Sequence, residues 1–290
     1  RGFNLDLQHE IMDSQTYNGD PITIKGLYIM GGNPISVYAE QDYIKEWFSK
    51  LEFIVVAETT MNDTAKWADI LLPAADWFEQ EDVYGACGTH PYFLMCEQAI
   101  EPLYESKSDF EIYKLICEKL GMGDLWGWET KEDALREALD SDACRGLGFD
   151  YDKLKEEKIV RILQGDVFRQ YEGGVFQTPT QRCRFYQETP YIDTVGQEVD
   201  IAKERAPHWE PSMEADKNSE IRKKHPFHLL SDHMRTRTHT QWWDVEMLRE
   251  VEDGLIVKLN PQDAAEMGIV AGDEVRVFND RGSVVLTAAI

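Results

Sequence analysis

A short apolar run that closes in a glycine-rich turn most constrains how this chain can fold. Gly26–Met30 leads directly into Gly31-Gly32-Asn33-Pro34, which is typical of a buried strand that ends in a tight loop. Residues 44–51 then repeat apolar side chains at helical spacing, and residues 53–57 form a second apolar, β-branched run. Strand, helix and strand in this order predict a right-handed βαβ unit with parallel strands.

The same alternation continues downstream. Residues 64–68 indicate a short helix, and residues 69–73 a third buried strand. Ser108 and Glu111 form a predicted capping box, and Gly121 supplies the end of that helix. A further helix is predicted at residues 131–139. We therefore expect the first part of the chain to be α/β.

From residue 225 onwards the pattern changes to strands. The predicted strands are residues 227–230, 255–259, 274–278 and 284–290. A short helix is predicted at residues 263–267, which begins after Asn260-Pro261 and ends at Gly268. Asn279-Asp280-Arg281-Gly282 is predicted to be a hairpin loop in which Gly282 can adopt a positive φ. Residues 187–224 are polar and proline-containing, which indicates a connecting segment. The chain starts without Met and stops inside a predicted strand, so we expect a fragment of a longer chain.

Composition excludes some classes of function. The net charge is −24, from 54 acidic and 30 basic residues, so phosphate repulsion argues against a nucleic-acid partner. No stretch approaches the roughly 18 apolar residues that span a bilayer. The five cysteines, Cys87, Cys96, Cys117, Cys144 and Cys183, lack the close spacing of zinc or iron–sulfur ligands.

Three loops follow the predicted parallel strands, at residues 31–34, 58–64 and 74–79. Ligands of open parallel sheets bind outside the carboxyl ends of the strands, so these loops are candidate binding elements. Glycine lets a backbone approach a phosphate closely, and Thr hydroxyls and amide groups donate to anions. Glu58 or Asp63 could accept hydrogen bonds from a ribose or from the N–H edge of guanine. Each motif has a structural alternative, a plain turn or a helix cap, and the first lacks the full Gly-x-Gly-x-x-Gly spacing of a nicotinamide site.

A second candidate loop covers residues 231–243. It combines two Arg, two His, three Thr, a Gln and two Trp, a composition suited to phosphates and to a planar ring. The alternative is a metal site at His225, His228, His233 and His239, but no zinc motif organises these residues. The sequence contains no serine-nucleophile elbow, phosphate-binding P-loop or other catalytic signature, so we assign no catalytic and no metal-ligating residue.

In their order along the chain, these motifs resemble the molybdopterin oxidoreductase superfamily, in the dimethyl sulfoxide reductase and formate dehydrogenase branch. Residues 24–120 resemble part of its α/β domain, through Gly-x-Asn-Pro, Glu58-Thr59-Thr60-Met61-Asn62-Asp63-Thr64-Ala65 and Ala68-Asp69-Ile70-Leu71-Leu72-Pro73-Ala74 with Glu79 and Glu81 downstream. Residues 225–290 resemble its C-terminal dinucleotide-binding domain, through His225-Pro226-Phe227-His228-Leu229, Arg235, His239, Gln241, Asn260-Pro261 and Gly272-Asp273.

The resemblance implies an α/β fold: a parallel-sheet, Rossmann-like cofactor-binding domain followed by a truncated double-psi β-barrel. The implied domains are the tail of a preceding domain at 1–25, part of the α/β domain at 26–150, a connecting segment at 151–220, and the barrel at 221–290. The implied cofactor is bis(molybdopterin guanine dinucleotide) with molybdenum or tungsten. The residues implied to bind it are Gly31, Gly32, Asn33, Pro34, Glu58, Thr59, Thr60, Asn62, Asp63, Thr64, Arg235, His239, Thr240 and Gln241.

The implied activity of the parent protein is two-electron, oxygen-atom-transfer oxidoreductase chemistry, as in anaerobic respiration, on a small-molecule substrate that the sequence does not identify. The fragment alone is expected to be inactive, because the metal ligand and any iron–sulfur cluster belong to the missing N-terminal part. Implied partners are an iron–sulfur electron-transfer subunit and a membrane anchor subunit. The compartment stays open between export with membrane association and the cytoplasm. Two alternatives also stay open: a non-redox hydratase or hydroxyl transferase, and a metal-free structural subunit of a respiratory assembly.

Overall fold

The computed structural model describes residues 8–17, 19–85, 90–163, 171–190, 199–212, 214–252 and 254–290. The helices are α1 (Gln8–Ser14), α2 (Pro34–Val37), α3 (Gln41–Ser49), α4 (Asp109–Lys119), α5 (Gly123–Trp126), α6 (Lys131–Leu139), α7 (Asp142–Gly146), α8 (Tyr151–Glu157), α9 (Ile201–Glu204), α10 (Glu220–Lys224), α11 (Glu246–Arg249) and α12 (Pro261–Met267). The strands are β1 (Thr16–Tyr17), β2 (Asp20–Pro21), β3 (Gly26–Met30), β4 (Phe53–Glu58), β5 (Ile70–Pro73), β6 (Asp82–Tyr84), β7 (Tyr92–Cys96), β8 (Ile159–Arg161), β9 (Ile256–Lys258), β10 (Glu274–Phe278) and β11 (Ser283–Ala289). Short 3₁₀ helices cover Ala65–Trp67, Trp77–Glu79 and Glu172–Gly174.

A parallel sheet of order β3-β4-β5 forms the centre of the first part. Helix α3 connects β3 to β4, and the 3₁₀ helix Ala65–Trp67 connects β4 to β5. Trp47 and Phe48 of α3 are buried against Ile54 and Val56 of β4, and Met12 of α1 joins the same core. The parallel sheet and its α/β character are thus confirmed. Helix α1 also shows that residues before 26 pack with this part of the chain.

The sequence did not predict the second sheet. Strands β6, β7 and β8 pair antiparallel in that order, and helices α6 to α8 cover them. Tyr151 and Leu154 of α8 are fully buried there, beside Leu139 of α6 and Val160 of β8. Residues on both sides of position 150 therefore share one hydrophobic core, and the domain boundary expected at that position falls inside it.

The capping box ahead of α4 is present as predicted. The Ser108 hydroxyl accepts from the backbone N–H of Glu111, while the Glu111 carboxylate accepts from the Ser108 N–H at 2.9 Å. Gly121, with a φ of +71°, follows the end of this helix. The predicted helix at residues 131–139 corresponds to α6, which is capped in the same way by Thr130 and Asp133. Local side-chain chemistry thus determined these helix boundaries.

The last part contains a three-stranded mixed sheet of order β10-β11-β9, in which β11 pairs antiparallel with β10 and parallel with β9. Helix α12 begins after Asn260, whose side chain accepts from the N–H of Gln262, and ends at Gly268. Three of the four predicted strands are therefore confirmed. Among the described residues of this part, the strands form an open sheet.

Two predictions for this part were wrong. Residues 227–230 form no strand, and their side chains are exposed. No strand of the described chain pairs with them, and an unpaired strand leaves its backbone groups without hydrogen-bond partners. Gly282 does not adopt a positive φ; the Asn279 side chain instead closes the turn by accepting from the N–H groups of Arg281 and Gly282.

No helix in the described ranges is both long and apolar enough to cross a membrane. Four cysteines, Cys96, Cys117, Cys144 and Cys183, are free thiols, and Cys87 lies outside the described residues.

Candidate functional site

The loops that follow the parallel strands lie side by side at one edge of the sheet. Two backbone hydrogen bonds join them: the N–H of Gly31 donates to Ala57 O at 3.2 Å, and the N–H of Ala74 donates to Glu58 O at 3.2 Å. The first bond connects the 31–34 loop to β4, and the second connects the 74–79 loop to the end of β4. The structure therefore brings together the three loops that the sequence marked as candidates.

Asn33 and Thr64 connect the first loop to the second. The Thr64 hydroxyl donates to Asn33 Oδ1 at 2.8 Å and accepts from the Ile35 N–H at 3.1 Å. The Thr64 N–H donates to the same Asn33 oxygen at 3.2 Å. Because Thr64 is fully buried, its side chain contacts only protein and holds the two loops in position. This differs from the expectation that Thr64 faces a ligand.

Glu58 and Asn62 shape the second loop from within. Glu58 Oε1 accepts from the N–H of Thr59 at 2.8 Å, and Glu58 Oε2 accepts from the Asn62 side-chain amide at 2.9 Å. Asn62 Oδ1 in turn accepts from the N–H of Ala65 at 2.8 Å. These contacts fold residues 58–65 into a closed turn. They also leave the half-buried Glu58 carboxylate with three internal donors, because the Thr59 hydroxyl donates to it as well, at 3.2 Å.

Asp63 makes a further contact, which joins the second loop to α2. Its Oδ2 accepts from the Ser36 hydroxyl at 2.7 Å, and its Oδ1 pairs with Lys66 Nζ at 2.8 Å. The hydrogen bond from Lys66, followed by that from Ser36, holds the pKa of the Asp63 carboxyl below its ordinary value. Asp63 is therefore an ionised surface group that ties α2 to the second loop. Ser36 was not predicted as a site residue, because a lone serine after Pro34 carries no recognisable motif.

The groups that remain open to solvent are those that a bound anion would need. Gly31 has a φ of +58°, and a Cβ at this position would meet no atom within 4 Å. Thr59 and Thr60 are exposed, and Gly32 and Pro34 are partly exposed beside them. A glycine with open space and adjacent hydroxyl groups can admit a phosphate close to the backbone.

The third loop is held in place by the buried carboxylate of Glu79, which is not among the residues predicted to bind the cofactor. Glu79 is 6% exposed, and it accepts from the N–H of Asp76, the N–H of Leu103 and the hydroxyl of Ser106, all within 3.1 Å. These bonds join the loop after β5 to residues 103–106. The neighbouring aromatic residues Trp77 and Phe78 stay exposed.

In the C-terminal candidate loop, the two arginines have opposite roles. Arg237 is 7% exposed; it forms an ion pair with Glu252, and its guanidinium lies 3.8 Å from the centroid of the Trp243 ring. The hydrogen bond to Glu252 raises the pKa of Arg237, which is thus a permanent cation that holds the loop. Arg235 is exposed and makes no hydrogen bond or ion pair with the described residues. An unpaired arginine remains available to an anionic ligand.

The other predicted residues of this loop lie near one another. Thr238 and Gln241 form a β-bridge, with Thr240 between them in the turn, and His239 has a φ of +52°. The rings of His239 and His233 meet edge to face at 5.1 Å. Across the described ranges, no group of three or more His, Cys, Asp or Glu side chains is arranged to hold a metal ion. The loop therefore offers hydrogen-bond donors and, in Arg235, a cation with no ion-pair partner among the described residues.

Two family models match this chain. The matched regions contain the three loops after the parallel strands and the C-terminal candidate loop at residues 231–243. The model named Molybdopterin oxidoreductase matches residues 5–119, and the model named Molydopterin dinucleotide binding domain matches residues 227–290. The second match supports a molybdopterin cofactor. Together the two regions cover more than half of the chain, in the order that the sequence motifs indicated.

Among proteins, the chain is 30% identical over 282 residues to a putative catalytic subunit of dimethyl sulfoxide reductase from Halobacterium salinarum, covering 93% of this chain and 32% of the relative. It is 29% identical to a dimethyl sulfoxide/trimethylamine N-oxide reductase of Cereibacter sphaeroides, covering 94% and 35%. A trimethylamine-N-oxide reductase of Pasteurella multocida gives the same values. The chain thus spans about a third of the length of these curated relatives.

Among solved structures, acetylene hydratase from Pelobacter acetylenicus aligns with a TM-score of 0.73 at 18% identity, covering 97% of this chain and 37% of that structure. This likeness shows a shared fold. The two family matches and the sequence relatives agree with one another, and on them we conclude that this chain belongs to the molybdopterin oxidoreductase superfamily.

Proposed function

We propose that this chain supplies part of the dinucleotide-binding body of a reductase that transfers an oxygen atom from a small S-oxide or N-oxide substrate. The observation that carries the proposal is the internal bracing of the first two loops. The hydrogen bonds of four side chains hold these loops: Asn33, Thr64, Glu58 and Asn62. Other backbone and hydroxyl donors remain exposed at the edge of the sheet.

The residues present fit a dinucleotide of pterin and guanine. Gly31 offers open space above a positive-φ backbone, and the exposed Thr59 and Thr60 can donate hydrogen bonds to phosphate or ribose oxygens. Arg235 can pair with a phosphate, and Gln241 can donate to a ring carbonyl. When bound, such a cofactor carries molybdenum or tungsten and supplies two-electron oxygen-atom-transfer chemistry. The part of this chain is to bind and orient it.

In this proposal, the residues of the candidate site divide into two groups. The first group is assigned to ligand contact and consists of Gly31, Gly32, Thr59, Thr60, Arg235, His239, Thr240 and Gln241. The second group is assigned to holding the loops and consists of Asn33, Pro34, Glu58, Asn62, Asp63 and Thr64. Preorganised loops lose less conformational entropy on binding, so the second group contributes to affinity without touching the ligand.

We propose that the parallel sheet is part of a Rossmann-like domain, and that the sheet of β9 to β11 is part of a double-psi barrel. The cofactor is proposed to be bis(molybdopterin guanine dinucleotide). An iron–sulfur cluster and the metal ligand are proposed to lie elsewhere in the full-length protein, and an iron–sulfur subunit and a membrane anchor are its proposed partners. The reductases among the relatives favour redox chemistry over a hydratase or a metal-free subunit.

Metal and pterin analysis of the full-length protein tests the proposal. We expect molybdenum or tungsten together with extractable pterin, and reduction of dimethyl sulfoxide or trimethylamine N-oxide by a reduced dye. Absence of both metals and of pterin would overturn it. Metal and pterin without turnover on either substrate would instead keep the cofactor and reject the proposed substrate class.

A matched pair of variants tests the placement of the ligand. Thr60→Asp puts a carboxylate where we expect phosphate, so repulsion should lower the pterin content several-fold. Thr180→Asp makes the same change at another exposed threonine and should leave the pterin content unchanged. Equal pterin content in the two variants would exclude the 59–60 turn as a contact.

A further inference from the structure

The turn between β10 and β11 forms ion pairs with two distant segments of the chain. Arg281 Nε lies 2.7 Å from Glu40 Oε1, in the α/β part. Arg281 also pairs with both carboxylate oxygens of Glu214, through Nη1 and Nη2 at 2.9 Å each. We propose that Arg281 is a positioning residue that fixes the C-terminal sheet against the α/β part. It thereby sets the distance between the loops after the parallel strands and the C-terminal candidate loop at residues 231–243. This inference rests on the proposed function.

The turn presents Arg281 in a fixed direction. Asn279 Oδ1 accepts from the N–H of Arg281 at 2.8 Å and from the N–H of Gly282 at 3.1 Å, and the N–H of Asn279 donates to Gly282 O at 3.0 Å. The five paired residues of β10 continue this order into the sheet. A side chain on such a closed turn loses little freedom when it forms an ion pair, which favours a defined docking geometry.

Glu40 is equally well placed on the other side. It lies between α2 and α3 with a φ of +60°, and its carbonyl accepts from the N–H groups of Tyr43 and Ile44 at 2.9 and 3.2 Å. Helix α2 begins at Pro34, the last residue of the first site loop. The contact of Arg281 therefore reaches the α/β part within one short helix of the residues proposed to approach the phosphate.

A second set of contacts holds the same turn through its neighbouring residue, Asp280. Asp280 accepts a hydrogen bond from Lys224 at the end of α10 and lies 3.3 Å from His225 Nε2. Asp280 and Arg281 thus use opposite charges on adjacent residues to join α10, the segment around Glu214 and the α/β part. Residues 214–225 and the α/β part around Glu40 thus meet at this one turn.

The charge balance makes Arg281 more important than an ordinary surface ion pair. Exposed pairs contribute at most about 1 kcal/mol each. Glu40 and Glu214, however, both contact one guanidinium, so without Arg281 two carboxylates would face each other in a chain of net charge −24. Loss of the arginine replaces attraction by repulsion.

Hydrogen exchange followed by mass spectrometry on the full-length protein tests this role. In Arg281→Gln, the amides of the Glu40 turn and of residues 214–219 should exchange about twofold to tenfold faster, because both segments lose their anchor. In Arg281→Gln/Glu40→Gln, removal of one carboxylate should bring exchange in the Glu40 turn back towards the rate of the unmodified protein. Amides of β3 and β4 should be unchanged in all variants.

Arg145→Gln is the matched control, since Arg145 pairs only with Asp142 of its own helix, at 3.5 Å, among the described contacts. It should leave both segments unchanged. Unaltered exchange in the Glu40 turn of Arg281→Gln would overturn the inference, as would the absence of rescue in the double variant. Pterin content, measured on the same samples, should fall in Arg281→Gln alone. Pterin missing from every sample, the unmodified protein included, would reject the proposed function while the exchange data still decide the role of Arg281.

Discussion

Thr64 shows how a single buried hydroxyl can hold two loops of the candidate site together. Thr64 belongs to the second loop, but its hydroxyl forms hydrogen bonds with Asn33 of the first loop and with the N–H of Ile35. We expect Thr64→Val to be close in volume but to leave the buried Ile35 N–H and the Asn33 oxygen without this partner. Such a loss costs about 1–3 kcal/mol. Urea unfolding should show the decrease in the free energy of unfolding.

The control for this prediction is Thr180→Val, at an exposed position outside the candidate site. Surface substitutions of this kind change stability by about 0.5 kcal/mol or less. If the two variants had the same urea midpoint, the bridge between the loops would not contribute to stability as we infer.

The sequence predicted which residues meet at the edge of the parallel sheet, but not which of their side chains are buried. Residue types pointed to Asn33, Glu58 and Thr64, because they recur in a recognisable motif, but not to whether each side chain faces solvent. The same limit applies to the arginines at 235 and 237. Both stand in one polar run, and only the position of Glu252 and Trp243 in three dimensions decides which of them is buried.

Among the elements, those defined by local chemistry were the predictable ones. The Ser108 and Glu111 capping box fixed the start of α4, and short apolar runs identified the parallel strands. Strands β6 and β8 were missed because they have three residues each and are stabilised by partners up to about 70 positions away. Residues 227–230 had the composition of a strand, but no strand among the described residues pairs with them. A sequence pattern reports what a segment can do locally and not what lies beside it.

The cap of α4 gives a prediction for one element. Ser108→Ala removes the side-chain acceptor for the Glu111 N–H, and the Ser108 side chain is nearly buried, so water cannot fully replace it. We expect a loss of about 1 kcal/mol in the free energy of unfolding, within the range typical of such caps. Thermal unfolding followed by circular dichroism is the measurement.

Ser212→Ala provides the comparison, because the Ser212 hydroxyl is exposed and forms no hydrogen bond with the described residues. Its melting temperature should stay within experimental error of the unmodified protein. A Ser108→Ala variant as stable as Ser212→Ala would show that the capping box is dispensable.

For the whole molecule, ion pairs spread over all parts of the chain predict how stability depends on pH. Three aspartates have a pKa below the ordinary value of 3.8, in each case because a basic side chain forms a hydrogen bond with the carboxylate. The pairs are Asp63 with Lys66, Asp152 with Arg136, and Asp280 with Lys224. A lowered pKa in the folded state gives stability that is present above 3.8 and is lost as pH falls through the folded-state value.

One histidine acts in the opposite direction. Glu210 raises the pKa of His208 above its ordinary value of 6.5, so this stability is complete below 6.5 and is lost as pH rises through the folded-state pKa. We therefore expect the urea midpoint to be highest between about pH 4 and pH 6.5. At constant ionic strength, His208→Gln should reduce the decline on the alkaline side. A midpoint that rises steadily from pH 5 to pH 8 would contradict this prediction.

The strand order of the C-terminal sheet also has a consequence for the time course of folding. β10 and β11 are joined by a four-residue turn, and such hairpins close within about 1–10 μs. The parallel pairing of β9 with β11 joins Ile256 to Thr287 across a much longer loop, whose closure costs more entropy. The hairpin should therefore form first. Because Arg281 lies in its turn, we expect that the contact with Glu40 can form while β9 is still unpaired, which would bring the two parts of the candidate site together before the C-terminal sheet is complete.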